Sequence, residues 1–374
     1  RCVLMTGKHT GHCRRRDNVA KAKLNDFKSR RPLVFLESSD RTVAEALNEA
    51  GYTTAGIGKW GLGNDNTFGE PTNQGFDHWF GYLDQVHAHD YYPRWLWEDG
   101  ERLELQGNTQ GKTETYSHYL FEERTLEFIR SHQQDPFFLY LAYTLPHSDY
   151  VIPHDDPSYE PYRDKPWSQK VRNYAAMVTR ADRTVGKLIS LLEEQGMSKN
   201  TIVFYTSDNG PNRPFVEKLN SNGPFQGTKR SLHEGGIRVP MVVWGPGRVP
   251  AGRSSDVIWG MRDFFPTALD LAGIKPLKSL DGTSVLPLLL GQEQRPHNHL
   301  YWEYHSGFQQ AVRMGKWKGI RNGTEESIAL YNLSSDSAEG SDLSGEYPDI
   351  VQTIETIMDT SRTPSRYWPA RKHP

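Results

Sequence analysis

Val171, Tyr174, Val178, Ala181, Val185, Leu188 and Leu192 recur every three or four positions, the period of one helix face. The spacing predicts a helix over residues 168–196 that stops at Gly196. Apolar runs at 136–144, 201–206 and 239–244 show no period. Runs of that length suit strands buried on both faces, as in a parallel sheet. Thr42 ahead of Val43, Ala46, Leu47 and Ala50, with Gly51 behind them, predicts a short capped helix. A strand of small residues follows at 53–58, and helical spacing resumes over 116–131 and 262–273. Residues 1–41 read as a polar, basic loop in which Arg14, Arg15 and Arg16 form a solvated charge run. Residues 64–113, rich in Gly, Asn, Pro and aromatics, read as ordered loop.

Past residue 297 the grammar changes. Short aromatic runs at 300–304, 310–314, 317–321 and 328–331 alternate with turns, and a helix closes from 348 to 360. The expected fold class is α/β, with a central, mostly parallel sheet sandwiched by helices and a small C-terminal antiparallel sheet plus helix. The expected domains are residues 1–296 and 297–374.

Composition narrows the partners. The chain has 374 residues, 44 Lys and Arg against 46 Asp and Glu, and a net charge of −2. That balance argues against a nucleic-acid protein, which carries a basic excess. No run approaches the ~18 apolar residues of a membrane span. Cys2 and Cys13 are too few for a disulfide framework. The first residue is Arg1, and no signal-peptide pattern follows it.

Four clusters can carry chemistry, each at a predicted strand end or in the loop after it, where open α/β sheets place their sites. GYTTAGIGKWGLG (51–63) sets Lys59 between Gly58 and Gly61. A lysine there is a point charge suited to an oxyanion, although a tight turn with a solvated lysine has the same pattern. TLPHSD (144–149) puts His147 just past an apolar run, as a functional or a structural histidine. YTSDNGP (205–211) offers Asp208 and Asn209, hard oxygen ligands for Ca²⁺ or Mg²⁺, or equally an Asx turn. NGPFQGTKRSLHEGGIRVP (222–240) carries Lys229, His233, Glu234 and Arg238, which pattern alone does not rank.

In this order, and over almost the whole chain, the clusters resemble the sulfatase family. GYTTAGIGKWGLG looks like its second signature, and TSDNGP with GTKRSLHEGGIRVP like its metal-ligand and lysine segments. QAVRMGKWKGIR with LYNLSSDSAEGSDLS resembles its C-terminal subdomain. Arg1-Cys2-Val3-Leu4-Met5-Thr6-Gly7 looks like the first signature from its arginine onward. The modified cysteine or serine of that signature, a formylglycine, is therefore expected upstream of Arg1. Cys2 and Cys13 lack the context of a nucleophile, and a protein of these residues alone is expected to be inactive.

The resemblance implies an alkaline-phosphatase-like fold and a sulfuric ester hydrolase using one divalent cation, Ca²⁺ in most relatives. By the same resemblance Asp208 and Asn209 are metal ligands, and Arg1 supports the formylglycine. Lys59 binds near it and the sulfate. His147 contacts the ester or assists the leaving group, and Lys229 binds sulfate and stabilises the leaving oxygen. The second signature commonly has a histidine where Gly61 stands. His89, and after it His87, are the candidates to replace it in substrate binding, unless both pack among Trp79, Phe80, Tyr82, Tyr91, Tyr92, Trp95 and Trp97. The implied substrate is a sulfated small molecule or carbohydrate, and the implied location is export. A phosphoester hydrolase of the same superfamily and a non-catalytic sulfated-glycan binder are the competing readings.

Overall fold

The computed structural model describes residues 1–18, 34–275 and 277–371; residues 19–33 of the predicted N-terminal loop lie outside them. The backbone gathers into two compact units that do not follow sequence order. One is Phe35–Ile202 with Gly245–Arg248; the other is Arg1–Val34, Val203–Trp244 and Val249–Pro374.

The first unit is built on five strands: β1 (Thr53–Lys59), β2 (His78–Tyr82), β3 (Trp95–Glu98), β4 (Glu101–Glu104) and β5 (Phe137–Ala142). Their order is β4-β3-β2-β1-β5. β1 runs parallel to β2 and β5, while β2–β3 and β3–β4 are antiparallel, so this sheet is mixed. Three of its strands lie in the stretch expected to be loop. HWFGY, WLWE and ERLE are too short and too irregular in period to stand out from turn residues, yet the aromatics of the first two suit a pleated surface. Ile57, Phe80, Tyr82, Leu96, Leu105 and Phe121 form the core beneath the sheet. Trp79, Tyr82 and Tyr91 are almost fully buried, so these aromatics of the loop cluster pack rather than present their faces to solvent.

Thr42 caps its helix, Val43–Asn48, reciprocally with Glu45. The long helix, Gln169–Glu194, starts at the Ser168 cap. Val171, Ala181, Leu188 and Leu192 of the predicted stripe are buried, but Val178 is exposed, and the polar Arg180 and Thr184 are buried as well. The cause is a polar pin to the helix Ser117–Ser131. Glu122 accepts from Thr184 Oγ1 at 2.6 Å and Lys187 Nζ at 2.5 Å, pairs with Arg180 at 2.8 Å, and His118 Nε2 meets Thr184 Oγ1 at 3.0 Å.

Among the described residues, the second unit holds two sheets. β6 (Val203–Thr206) and β7 (Met241–Trp244) pair antiparallel as a separate ribbon. They are half-exposed, with Val242 well exposed; their apolar runs were expected to be buried on both faces. Apolarity marks a strand's preference for cover but does not name its partner strand. β8 (Leu300–Tyr304), β9 (Gln309–Met314), β10 (Trp317–Asn322) and β11 (Ala329–Asn332) form an antiparallel sheet in the order β11-β10-β9-β8. The helix Pro348–Thr360 buries Ile354 and Met358 against Tyr301, Val312, Ile328 and Leu330. This is the small C-terminal sheet plus helix that the sequence predicts.

The arginine run is not solvated: Arg15 and Arg16 are buried. Arg16 Nη1 donates to Glu303 Oε1 at 2.9 Å, and Arg362 Nε donates to Glu303 Oε2 at 2.9 Å. Burial works against the Glu303 charge, but His305, Arg362 and Arg16 outweigh it and hold its pKa at about 2.

Candidate active site

The expected site residues fall into two groups, one in each unit. Lys59, His87, His89 and His147 belong to the first. Lys59 ends β1 and is 9% exposed. The residue before it must be glycine. Gly58 has φ 116°, and a Cβ there would lie 2.2 Å from the Ala142 carbonyl oxygen. Its register partner Gly81 would place a Cβ 2.0 Å from the Gly58 oxygen. Two glycines therefore let three parallel strands close up where Lys59 leaves the sheet.

His147 sits in the turn after β5, its N–H donating to the Thr144 oxygen at 2.7 Å. Its Nδ1 faces the Ser148 carbonyl oxygen at 3.0 Å. A carbonyl only accepts, so Nδ1 carries the proton of this contact. The His89 ring meets the His147 ring edge-on, with centroids 4.6 Å apart at 70°. His87 turns elsewhere: it packs on Tyr82 (5.0 Å) and Trp95 (4.7 Å), and burial lowers its pKa. The structure thus brings His89, not His87, to His147.

Arg1, Asp208, Asn209 and Lys229 belong to the second unit. Two loops hydrogen-bond backbone to backbone to form this group. Gly210 N–H donates to the Gly236 oxygen at 2.9 Å, and Lys229 N–H to the Pro211 oxygen at 2.8 Å. A Cβ on Gly210 would lie 2.0 Å from the Gly235 oxygen, so the contact needs glycine there. Lys229 is thereby held near Asp208. Burial lowers its ammonium pKa, Asp208 raises it, and Arg230 and Arg1 lower it further. Arg1 occupies the N-cap position of the short helix Cys2–Thr6, with no side-chain capping bond. Cys2 and Cys13 are both buried, and hydrogen bonding to Cys2, with burial, pushes the Cys13 thiol well up, which suits inert thiols.

Asp208 is exposed, and Asn209 Nδ2 donates to Asp208 Oδ1 at 2.5 Å. Carboxylate and amide oxygens are both hard donors. These fit Ca²⁺ or Mg²⁺ in kind, while supplying two of the roughly six to eight oxygens that calcium takes.

The rest of the 222–240 loop is anchorage. Lys318, on β10 and fully buried, pairs with Glu234 at 2.8 Å and Glu339 at 2.9 Å. Glu339 also accepts from Glu234 N–H at 2.6 Å and lies 3.4 Å from His233. Arg238 stacks over Phe225 at 4.5 Å. Glu234, His233 and Arg238 therefore tie the Lys229 loop down, and Asp208 acts on the Lys229 ammonium.

Sequence reasoning did not select a further cluster, His9, His12 and Asp281, whose ligand atoms lie within 4.8 Å of one another. Gly11 N–H donates to His9 Nδ1 at 3.1 Å, so the ring proton sits on Nε2, the nitrogen a metal would need. His12 Nδ1 meets both Asp281 oxygens at 3.0 Å. The polarity describes a proton-sharing cluster rather than a metal cage. Its signal in the sequence is only a histidine pair, without spacing to any partner.

The fold is that of the alkaline-phosphatase-like proteins. Over residues 14–274 the chain matches the sulfatase family model, and over 225–363 that of the N-sulphoglucosamine sulphohydrolase C-terminal region. The chain belongs to the sulfatase family. It is 33% identical to N-acetylgalactosamine-6-sulfatase of Mus musculus, over 90% of this chain and 66% of that one. It is 32% identical to an arylsulfatase of Hemicentrotus pulcherrimus, over 76% of this chain and 52% of that one. The chain thus spans between about half and two thirds of the length of these curated relatives. Among solved structures, Ps i-CgsB in complex with k-i-k-neocarrahexaose superposes with TM-score 0.80 at 25% identity, covering 100% of this chain and 83% of that one. A phosphonate monoester hydrolase from Silicibacter pomeroyi shares the fold at TM-score 0.63 and 16% identity, covering 94% of this chain and 83% of that one. Among the described residues, no helix is long and apolar enough to cross a membrane.

Proposed function

We propose that the protein hydrolyses sulfate esters of carbohydrates or small molecules, as an exported enzyme. The observation that supports this reading best is Lys229 held beside Asp208 by two loops whose sequences are family segments. In this reading Asp208 and Asn209 hold a divalent cation, Ca²⁺ by resemblance. The formylglycine of the family signature stands on the N-terminal side of Arg1. When present, the cation supplies Lewis-acid polarisation of sulfuryl oxygens and the formylglycine hydrate supplies the nucleophile.

The chain's own residues do the remainder. By the family resemblance, Lys229 supplies positive charge to the sulfuryl oxygens, as does Lys59, and the burial of each side chain within its own unit strengthens such an interaction. Arg1 stabilises the nucleophile's segment. His147, with Nδ1 committed to Ser148, uses Nε2 to hold or deliver a proton at the leaving oxygen. His89, packed on His147, orients that ring and contacts the ester in place of the histidine absent at Gly61.

A phosphoester hydrolase is the second reading, supported by the fold shared with the phosphonate monoester hydrolase. Two lysines in the family's site positions favour sulfate, because cationic side chains serve there instead of a second metal. Turnover of 4-nitrophenyl sulfate against 4-nitrophenyl phosphate by the full-length protein tests the choice. Preference for sulfate supports the first reading and preference for phosphate the second. Binding of sulfated glycan without either turnover would mark a non-catalytic binder.

A further inference from the structure

The segment that starts at Arg1 is held by a turn far along the chain. The helix Cys2–Thr6 ends at Gly7, whose φ of 63° and ψ of 15° turn the backbone left-handed. The Gly7 oxygen accepts from the N–H groups of Asp281 and Gly282 at 3.0 and 3.2 Å. The Asp281 side chain then reaches back over the same segment. Its Oδ2 accepts from the His9 N–H at 3.0 Å, and both its oxygens lie 3.0 Å from His12 Nδ1. An ionised carboxylate only accepts, so Nδ1 carries the proton of that contact. The His9 oxygen closes the loop by accepting from the His12 and Cys13 N–H groups at 2.9 Å each.

The turn is itself built onto the helix Phe264–Leu271. Thr283 N–H donates to Asp263 Oδ1 at 2.8 Å, and Val285 N–H donates to Thr267 Oγ1 at 2.9 Å. Asp263 and Thr267 are both fully buried. A Cβ on Gly282 would lie 2.0 Å from the Arg262 oxygen, so glycine lets the turn close onto the start of this helix. Asp281 thus joins a packed frame to the chain that carries Arg1, and all these residues lie within the second unit. Burial raises the Asp281 pKa, but the His12 hydrogen bond and the His9 and His12 charges outweigh it and hold the carboxyl below its usual range. The clasp is therefore made by a charged acceptor, the stronger kind.

We infer that Asp281 is a positioning residue for the reaction: its carboxylate clasps residues 9–12 and, through Gly7 and the short helix, fixes where Arg1 stands. The helix has no side-chain capping bond at Arg1, so its register is set from the Gly7 end. This inference rests on the sulfate-ester reading, in which Arg1 supports the nucleophile. A shift of Arg1 by about 1 Å spoils the line of attack while leaving ground-state binding of the ester intact.

The test uses the full-length protein and 4-nitrophenyl sulfate. Asp281→Asn keeps the shape and one acceptor but removes the charge. It is expected to lower kcat about ten- to hundred-fold with KM within about two-fold of wild type. His12→Ala is expected to share the loss, and His12→Asn, which keeps an N–H donor near the Nδ1 position, to recover most of it. Thermal melts show whether each variant is folded at the assay temperature. Unchanged kcat in Asp281→Asn, a loss no larger than the unfolded fraction, or equal losses in the two His12 variants would overturn the assignment. Should the wild type turn over no sulfate ester, the sulfate-ester reading fails, and hydrogen exchange decides the clasp alone. Faster exchange of amides 3–12 in Asp281→Asn, with helix 264–271 unchanged, supports it, and unchanged exchange of amides 3–12 refutes it.

Discussion

The Tyr91 hydroxyl donates to the carbonyl oxygen of His147 at 2.7 Å and to that of Thr144 at 3.1 Å. Tyr91 is almost fully buried and stacks on Tyr116. It therefore clasps the turn that carries His147 to the loop that carries His89. Tyr91→Phe keeps the ring and removes the clasp. Stability is expected to fall by about 1–2 kcal/mol, and kcat about five- to ten-fold with little change in KM. Thermal melts and steady-state kinetics on an aryl sulfate check both.

Lys318 is the keystone of the Lys229 loop. Removing its charge leaves Glu234 and Glu339 facing one another in the interior. Lys318→Met is expected to cost about 3–5 kcal/mol, the loss seen when one partner of a buried ion pair is removed. Urea unfolding of the variant against wild type measures it.

His118 makes stability depend on pH. Burial, with Arg180 nearby, lowers its pKa from 6.5 to about 3. Below pH 6.5 the unfolded chain binds a proton that the folded chain refuses, so this contribution is full above that pH and is lost as pH falls toward about 3. The folding equilibrium is expected to weaken by up to about ten-fold per pH unit in that window. His118→Gln should flatten the slope by one proton. Unfolding curves collected between pH 6.5 and 4.5 check the difference.

Much of this was legible in residue order. The capped helix behind Thr42, the C-terminal sheet and its closing helix follow from local period and turn chemistry. The strand ends carrying Lys59, His147 and Asp208 are where the apolar runs stop. What the pattern concealed depends on contacts far apart in sequence. Val178 fits the helix stripe yet is exposed, while Arg180 and Thr184 are buried because Glu122 waits on another helix. Arg16 reads as solvated until Glu303, 287 positions away, is placed beside it. Lys229, Glu234 and Arg238 look alike in the 222–240 loop; only Lys318 and Glu339 show which are anchors. His89 and His87 stand two residues apart in one short 3-10 turn, and only the placement of His147 separates them.

The central claim is that Lys59 and Lys229 serve sulfate-ester hydrolysis with a divalent cation at Asp208 and Asn209. Its most direct measurement is 4-nitrophenyl sulfate turnover by the full-length protein, with and without a chelator, alongside Lys59→Ala and Lys229→Ala. The account predicts turnover that calcium restores after chelation and that each variant lowers about 100- to 1000-fold in kcat, the scale for losing one preorganised oxyanion partner. Turnover that survives both substitutions, or a wild type faster on 4-nitrophenyl phosphate, would contradict it.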